Sequence, residues 1–330
     1  MALKASQGAA YSRVEGIGSA IPSRVVDNHE MTTYIETSDE WIQQRTGIVE
    51  RRWVGEGETV ESLTLEAARK AMEHAGVEAT DIDAVIVSTV SHLVQTPSLA
   101  AIVAAKLGTD GAAAFDISAA CAGFSYGLAQ ADSLVRSGAA RRVVVIGAET
   151  LSQITDLHDR ATAFLFADGA GAAVVGPSDV PAMGPVVWGS DGDQADVIEM
   201  NRDWNEAVAT GQTSQITMQG QAVFRWATSF IADAARRTLE ASGLTPDELD
   251  LFVPHQANNR ITDSMLRHLK LPETVTVART IRNFGNNSAA SIPIALDAMI
   301  ASGEAKSGDT CLIIGFGAGL VYAGQVITIP

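Results

Sequence analysis

Cys121 lies in the stretch Asp116-Ile-Ser-Ala-Ala-Cys-Ala-Gly-Phe124. An apolar, strand-like run over 112–117 ends just before it, and apolar residues at helical spacing (Leu128, Ala131, Leu134, Val135) follow. The pattern puts a thiol at a helix N-terminus, where unpaired backbone N–H groups and the helix dipole favour negative charge. A thiolate of lowered pKa, nucleophilic at neutral pH, is expected there. The alternative is a small buried hydrophobe, the role read for the only other cysteine, Cys311, inside the apolar run Thr310-Cys-Leu-Ile-Ile-Gly315. Of the six histidines, His29, His74, His158 and His268 sit in polar surroundings and read as surface residues, and nothing marks His92. His255 follows the apolar run Leu251–Pro254. The C-terminal end of a buried strand is where α/β folds place functional groups, although a loop-capping histidine would also stand there. Asn283-Phe-Gly-Asn-Asn-Ser-Ala-Ala-Ser291 supplies either turn and cap chemistry or an amide donor beside that histidine.

Two glycine patterns need sorting. Gly315-Phe-Gly-Ala-Gly319 follows a strand as a dinucleotide fingerprint would, but only eleven residues remain after it and 321–329 reads as another strand. Such a turn instead lets backbone N–H groups approach a ligand, as an oxyanion hole requires. Gly123-Phe-Ser-Tyr-Gly127 matches the G-x-S-x-G of serine hydrolases. An elbow needs its serine directly after the strand, whereas Ser125 falls one helical turn further on.

The elements that must position these residues alternate between helices and apolar strands, which implies an α/β fold. They also repeat. Residues 67–83 match 234–250 at six of seventeen positions, each ending a helix at glycine (Gly76, Gly243) before a buried strand. Ser118-Ala-Ala-Cys121 resembles Ser288-Ala-Ala-Ser291, and Arg142-Val-Val-Val-Ile-Gly147 resembles Thr310-Cys-Leu-Ile-Ile-Gly315. Two similar halves are expected, 1–178 and 179–330, with the seam in the turn-rich segment 176–185. The polar segment 201–215 reads as an irregular surface loop.

Composition sets bounds. Hydrophobic residues make up 46% and charged residues 19% of 330, enough for a sizeable core. Two cysteines make no disulfide framework, and the N-terminus lacks a signal peptide's apolar core, so a cytoplasmic protein is expected. No apolar run reaches the length of a membrane span. A net charge of −16 argues against nucleic acid as a partner. No metal-ligand motif or P-loop is present.

Taken in order, several stretches resemble the β-ketoacyl-acyl carrier protein synthase III family, which starts type II fatty acid synthesis. They are Thr37-Ser-Asp-Glu-Trp-Ile42 with Arg45-Thr-Gly-Ile48, the Cys121 segment, Phe166-Ala-Asp-Gly-Ala-Gly-Ala172, Val253-Pro-His-Gln-Ala-Asn258, Gly285–Pro293 and Gly315–Gly319. The wording is most similar to actinobacterial members. The resemblance implies a thiolase-like fold, two duplicated halves in a five-layer α-β-α-β-α arrangement. It implies a Cys121, His255, Asn286 triad with an oxyanion hole from the N–H groups of Cys121 and Ala318. It implies a CoA site at Trp41, Arg45, Arg160, Gly220, Gln221, Phe224, Ala257 and Asn258, where Gln221 replaces the Asn of many members. Carrier-protein docking would fall to Arg225, Arg260 and Arg267. Acyl-CoA and acyl carrier protein would be substrates, no cofactor would be needed, and the enzyme would be a homodimer. Starting a polyketide is the alternative the same triad allows. Thr96, before Pro97, stands where a partner subunit's residue enters the acyl pocket, and its small size implies branched or longer primers. Asn287 in place of the usual Thr, and a short loop before Ile216, are expected to reshape the tunnel.

Overall fold

A computed structural model of the chain describes residues 3–330. Two five-stranded mixed sheets organise it. The first contains β1 (Tyr11–Ala20), β2 (Ala84–Ser88), β3 (Ala113–Ile117), β4 (Val143–Thr150) and β5 (Asp168–Ser178), in the order β1-β5-β4-β2-β3. The second contains β6 (Val187–Gly189), β7 (Leu251–Pro254), β8 (Thr276–Val277), β9 (Thr310–Gly317) and β10 (Val321–Thr328), in the order β8-β7-β9-β10-β6. Read from matching edges, β3-β2-β4-β5-β1 superposes in topology on β8-β7-β9-β10-β6. The four pairings in each sheet run parallel, parallel, antiparallel, antiparallel.

Strand sequence explains the layering. Alternate residues of β4 point to opposite faces. Val143 and Val145 join one core cluster, while Val144, Ile146 and Ala148 join another. Both faces are buried, so the strand is apolar throughout rather than alternating. Likewise β9 sends Cys311 and Ile313 inward to the shared cluster, and Leu312, Ile314 and Phe316 outward. Each buried Val or Ile contributes about 1.5–3 kcal/mol. Helices α3 (Gly123–Ser137) and α6 (Ser291–Ser302) form the layer between the sheets, through Phe124, Leu128, Ile292, Ala295 and Leu296. Helices α1 (Val60–Ala75) and α2 (Leu99–Leu107) cover the outer face of the first sheet, and α4 (Ala232–Ala241) and α5 (Asn259–Leu269) that of the second. The result is five layers, α-β-α-β-α. A fourth cluster, built from Ile42, Ile48, Trp53, Leu151 and Phe164–Phe166, packs the N-terminal segment onto the loop after β4.

Two expectations are corrected. The segment 201–215 contains a helix, Trp204–Thr210, whose first turn is capped by the Asp203 carboxylate; its Trp204 is 77% exposed. The repeat is offset from the Ser-Ala-Ala match by two residues. Each central helix is preceded by a short 3-10 turn, Ala120–Ala122 or Ser288–Ala290. Each turn opens on a residue in the left-handed region, Ala120 (φ 43°) or Ser288 (φ 47°). Backbone geometry therefore pairs Ala120 with Ser288 and Cys121 with Ala289. The string of small residues suits either alignment, so composition alone could not choose.

Candidate active site

The turn before α3 projects Cys121 into a cavity that His255, Asn286, Ser288, Phe316, Gly317 and Ala318 also line. Five elements converge there. His255 follows β7 and is held by its N–H donating to the Ile314 carbonyl at 2.8 Å. Asn286 is clamped by two backbone bonds to the loop after β4: its N–H donates to Leu165 O at 3.0 Å, and its carbonyl accepts from Ala167 N–H at 2.9 Å. Gly317 brings the last turn against the thiol. A Cβ placed on it would lie 2.8 Å from Cys121 Cβ and 2.9 Å from Cys121 Sγ. Only glycine permits that approach, and it draws Ala318 into the cavity. Cys121 and Ala318 lie in the first turns of 3-10 helices, where N–H groups lack intrahelical partners. None of the turn and cap hydrogen bonds among the described residues uses either N–H.

The electrostatics differ from the simple reading of a helix N-terminus. Burial pushes the Cys121 thiol up to about 12, and the nearby Glu149 carboxylate adds to the rise, against a lowering contribution from Ser288. Desolvation thus works against the favourable backbone field and favours the protonated sulfur. Burial lowers His255 to about 3, so the imidazole is neutral. Its Nδ1 pairs with a serine hydroxyl. Gln256 N–H donates to Ser291 Oγ at 3.3 Å, and that hydroxyl lies 2.7 Å from His255 Nδ1. Where the hydroxyl donates to Nδ1, the ring proton sits on Nε2. The amide oxygen of Asn286 accepts from Ser288 N–H at 2.9 Å, which assigns its NH2 to the cavity. The arrangement gathers a thiol, a neutral imidazole, a carboxamide and two backbone N–H groups.

A second cavity shares Leu165, Met218, Gly220, Phe224 and Asn258 with the first and leads outward. Its lining includes Trp41, Arg45, Arg160, Gln221, Arg225 and Arg260, and no carboxylate. A chain of charge −16 thus has a positive mouth on this cavity. The Arg45 and Arg160 guanidinium groups lie 5.4 and 5.0 Å from the Trp41 ring centre, and Phe164 meets the ring edge-on. Arg260 lies over Phe224 at 5.0 Å. Asn258 caps α5, its oxygen accepting from Arg260 N–H and its NH2 donating to Arg45 O, so it ties both sides of the mouth together. Ala257 lines the inner cavity only, and Gln221 the outer only.

Other expected residues fall elsewhere. Arg267 is exposed further along α5, away from both cavities. Thr96 is exposed and lines neither cavity of its own chain. Asn287 does not reshape the tunnel by lining it. It is buried beneath, its amide donating to Asp168 O at 2.7 Å and Phe284 O at 3.1 Å. The hairpin strands Ile198–Met200 and Ile216–Met218 do wall the inner cavity. Ser125 is buried inside α3 with no partner for its hydroxyl, so no hydrolase elbow exists. The residue reading overlooked Glu149, Ser288 and Ser291. A lone carboxylate ending the apolar run 143–148 was the available signal for the first.

Comparison with known proteins places these features in context. The family profile of 3-oxoacyl-(acyl-carrier-protein) synthase III matches residues 115–192, and that of its C-terminal part matches 239–329. The chain is 55% identical to β-ketoacyl-(acyl-carrier-protein) synthase III 1 of Streptomyces coelicolor, covering 99% of both. The fold is similar to the crystal structure of a priming β-ketosynthase from a polyketide biosynthetic pathway, with a TM-score of 0.97, 46% identity and 100% and 99% coverage. It is also similar to 3-oxoacyl-(acyl-carrier-protein) synthase III of Aquifex aeolicus, with a TM-score of 0.89, 38% identity and 96% and 99% coverage.

Proposed function

We propose a mechanism from one premise: the chain belongs to the β-ketoacyl-acyl carrier protein synthase III family. It is a condensing acyltransferase with a thiolase-like fold, and it catalyses the decarboxylative condensation that initiates fatty acid or polyketide synthesis. In our reading the Cys121 sulfur attacks a short acyl-CoA thioester. The N–H groups of Cys121 and Ala318 hold the oxyanion, and CoA leaves. Malonyl-acyl carrier protein then enters and loses CO2. His255 Nε2–H and the Asn286 NH2 donate to the thioester oxygen as enolate charge develops. The carbanion attacks the acyl-Cys121 carbonyl and releases 3-oxoacyl-acyl carrier protein. Two neutral donors suit this step, since neither delivers a proton that would quench the carbanion.

Trp41, Arg45 and Arg160 bind the nucleotide end of CoA, and Gly220, Gln221, Phe224, Ala257 and Asn258 guide its pantetheine arm. Arg225 and Arg260 at the mouth, with Arg267 beyond it, receive the acidic carrier protein. We place the protein in the cytoplasm as a homodimer in which the partner's loop carries Thr96 towards the acyl pocket. No helix among the described residues is long and apolar enough to cross a membrane. No cofactor takes part.

The convergence of Cys121, His255 and Asn286 on one cavity carries this reading. The test is to mix protein, acyl-CoA and malonyl-acyl carrier protein and weigh the carrier. A 3-oxoacyl adduct with release of CO2 is expected; a carrier that stays malonylated would contradict it. Small Thr96 favours branched or longer primers. Turnover of isobutyryl-CoA should match or exceed that of acetyl-CoA, and a ratio far below one would contradict this.

A further inference from the structure

Ser291 opens the central helix α6, and its side chain lies against His255, which follows β7. Both residues are buried, at 1% and 2% exposure. The Ser291 hydroxyl stands 2.7 Å from His255 Nδ1 and accepts from the Gln256 N–H at 3.3 Å. Among the described residues it has no other hydrogen-bond partner. Gln256 is itself fixed, its amide NH2 donating to Pro254 O at 2.8 Å and its amide oxygen accepting from Ile281 N–H at 3.3 Å. Phe316 confines the imidazole from the side, the two rings 5.2 Å apart and 75° to one another. With Nδ1 turned to Ser291, Nε2 is the ring nitrogen left for the cavity that His255 lines.

The duplication supplies an internal control. Ser88 ends β2 beside Gly147, and His255 follows Pro254, which sits beside Ile314, so His255 falls beside Gly315. Ser88 is therefore the counterpart of His255. Counting from the left-handed residues Ala120 and Ser288, Gly123 is the counterpart of Ser291. A Cβ on Gly123 would lie 1.7 Å from Ser88 Oγ, and that hydroxyl is buried without a partner. In the first half, then, strand end and central helix join with no side chain on the helix and no hydrogen bond across the joint. The fold does not require a hydroxyl at this place. The second half has one, and it meets the imidazole.

We infer that Ser291 is a positioning residue for His255: its hydroxyl donates to Nδ1 and holds the ring proton on Nε2, facing the cavity. Counting protons supports this. Oγ already accepts a fixed N–H, and the neutral ring carries one proton. With the hydroxyl donating to Nδ1, every hydrogen at the contact has an acceptor. With the ring donating from Nδ1, the hydroxyl hydrogen has none, and Nε2 offers the cavity a lone pair. A lone pair there would oppose the enolate charge that condensation develops. The consequence for rate rests on His255 acting as a donor in condensation; the position of the proton does not.

The proton is located without substrate, from the NMR shifts of the two ring nitrogens in enzyme labelled at histidine nitrogen. The signal missing from His255→Gln assigns them. Protonation at Nε2 is expected in the wild type, and protonation at Nδ1 would overturn the inference. Ser291→Ala should show a mixture of the two tautomers. Its kcat for condensation should fall about 10–100-fold with little change in KM for malonyl-acyl carrier protein, while acylation of Cys121 stays near wild type. Ser291→Thr keeps a hydroxyl and should recover most of that kcat. A merely structural serine predicts instead a lower Tm, both half-reactions slowed alike and an unmoved tautomer. That pattern, or wild-type condensation in Ser291→Ala, would overturn the inference. The bare joint at Gly123 argues that Ser291→Ala folds, and the wild-type measurement needs no variant. If His255→Ala condenses normally while the wild-type ring is protonated on Nε2, the condensation reading fails and the proton's placement stands.

Discussion

At the residue scale, burial sets the chemistry. Burial holds His255 neutral and raises the half-buried Cys121 thiol. Their roles separate by step. His255→Ala or Asn286→Ala should lower condensation about 100–1000-fold, the usual cost of a lost oxyanion-type donor, while acyl transfer from CoA to Cys121 falls far less. Single-turnover acylation and steady-state condensation, measured on each variant, check this. Glu149 also makes a stability prediction. Burial raises its carboxyl from 4.5 to about 7. The folded state therefore holds a proton the unfolded chain releases. Its contribution is full below pH 4.5 and is lost as pH rises through 7, about 3 kcal/mol in all. Glu149→Gln lacks this dependence, so urea midpoints should shift in the variant's favour between pH 5 and pH 8. An unchanged difference would contradict it. Cys121 and His255 stood out in the sequence because one follows and one ends a recognisable strand, whereas Asn286 was singled out from Asn283 and Asn287 only by the family resemblance. Glu149 did not stand out, since a carboxylate after an apolar strand reads equally as a solvated end.

At the scale of elements, the two halves use one architecture for different ends. Gly147 and Glu149 on β4 face the turn at 288–290, as Gly315 and Gly317 on β9 face the turn at 120–122. A Cβ on Gly147 would meet Ala289 O, and one on Gly315 would lie 3.1 Å from Cys121 O, its counterpart. Glu149 thus stands where the other half has Gly317. One half supplies a carboxyl, and the other a bare backbone beside Cys121. Gly317→Ala should therefore cost about 1–3 kcal/mol in stability and slow acylation about 100-fold or more, measured by thermal melts and acyl-enzyme formation. Retained acylation would show that the close approach is dispensable. The strand and helix repeat was visible as shared apolar runs ending in glycine. Its register was not, because Ser-Ala-Ala fits two alignments and the left-handed Ala120 and Ser288 carry no compositional mark.

At the scale of the whole molecule, charge is divided between surface and site. An acidic chain keeps four arginines and no carboxylate around the outer cavity. Arg160→Ala should raise the KM for acyl-CoA, about tenfold for one charge-assisted contact. Arg267→Glu should raise the KM for the carrier-bound substrate alone, and added salt should raise that KM as well. Equal effects of Arg267→Glu on both substrates would remove it from the docking surface. The arginine positions were readable one by one. Their gathering at one mouth was not, because they come from segments up to 215 residues apart in the chain, from Arg45 to Arg260. The whole account depends on Cys121 carrying the acyl group. The direct measurement is peptide mass spectrometry after incubation with short acyl-CoAs, before and after malonyl-acyl carrier protein is added. A mass gain on the Cys121 peptide that disappears on that addition is predicted. No gain there, or a gain on another residue, would contradict it.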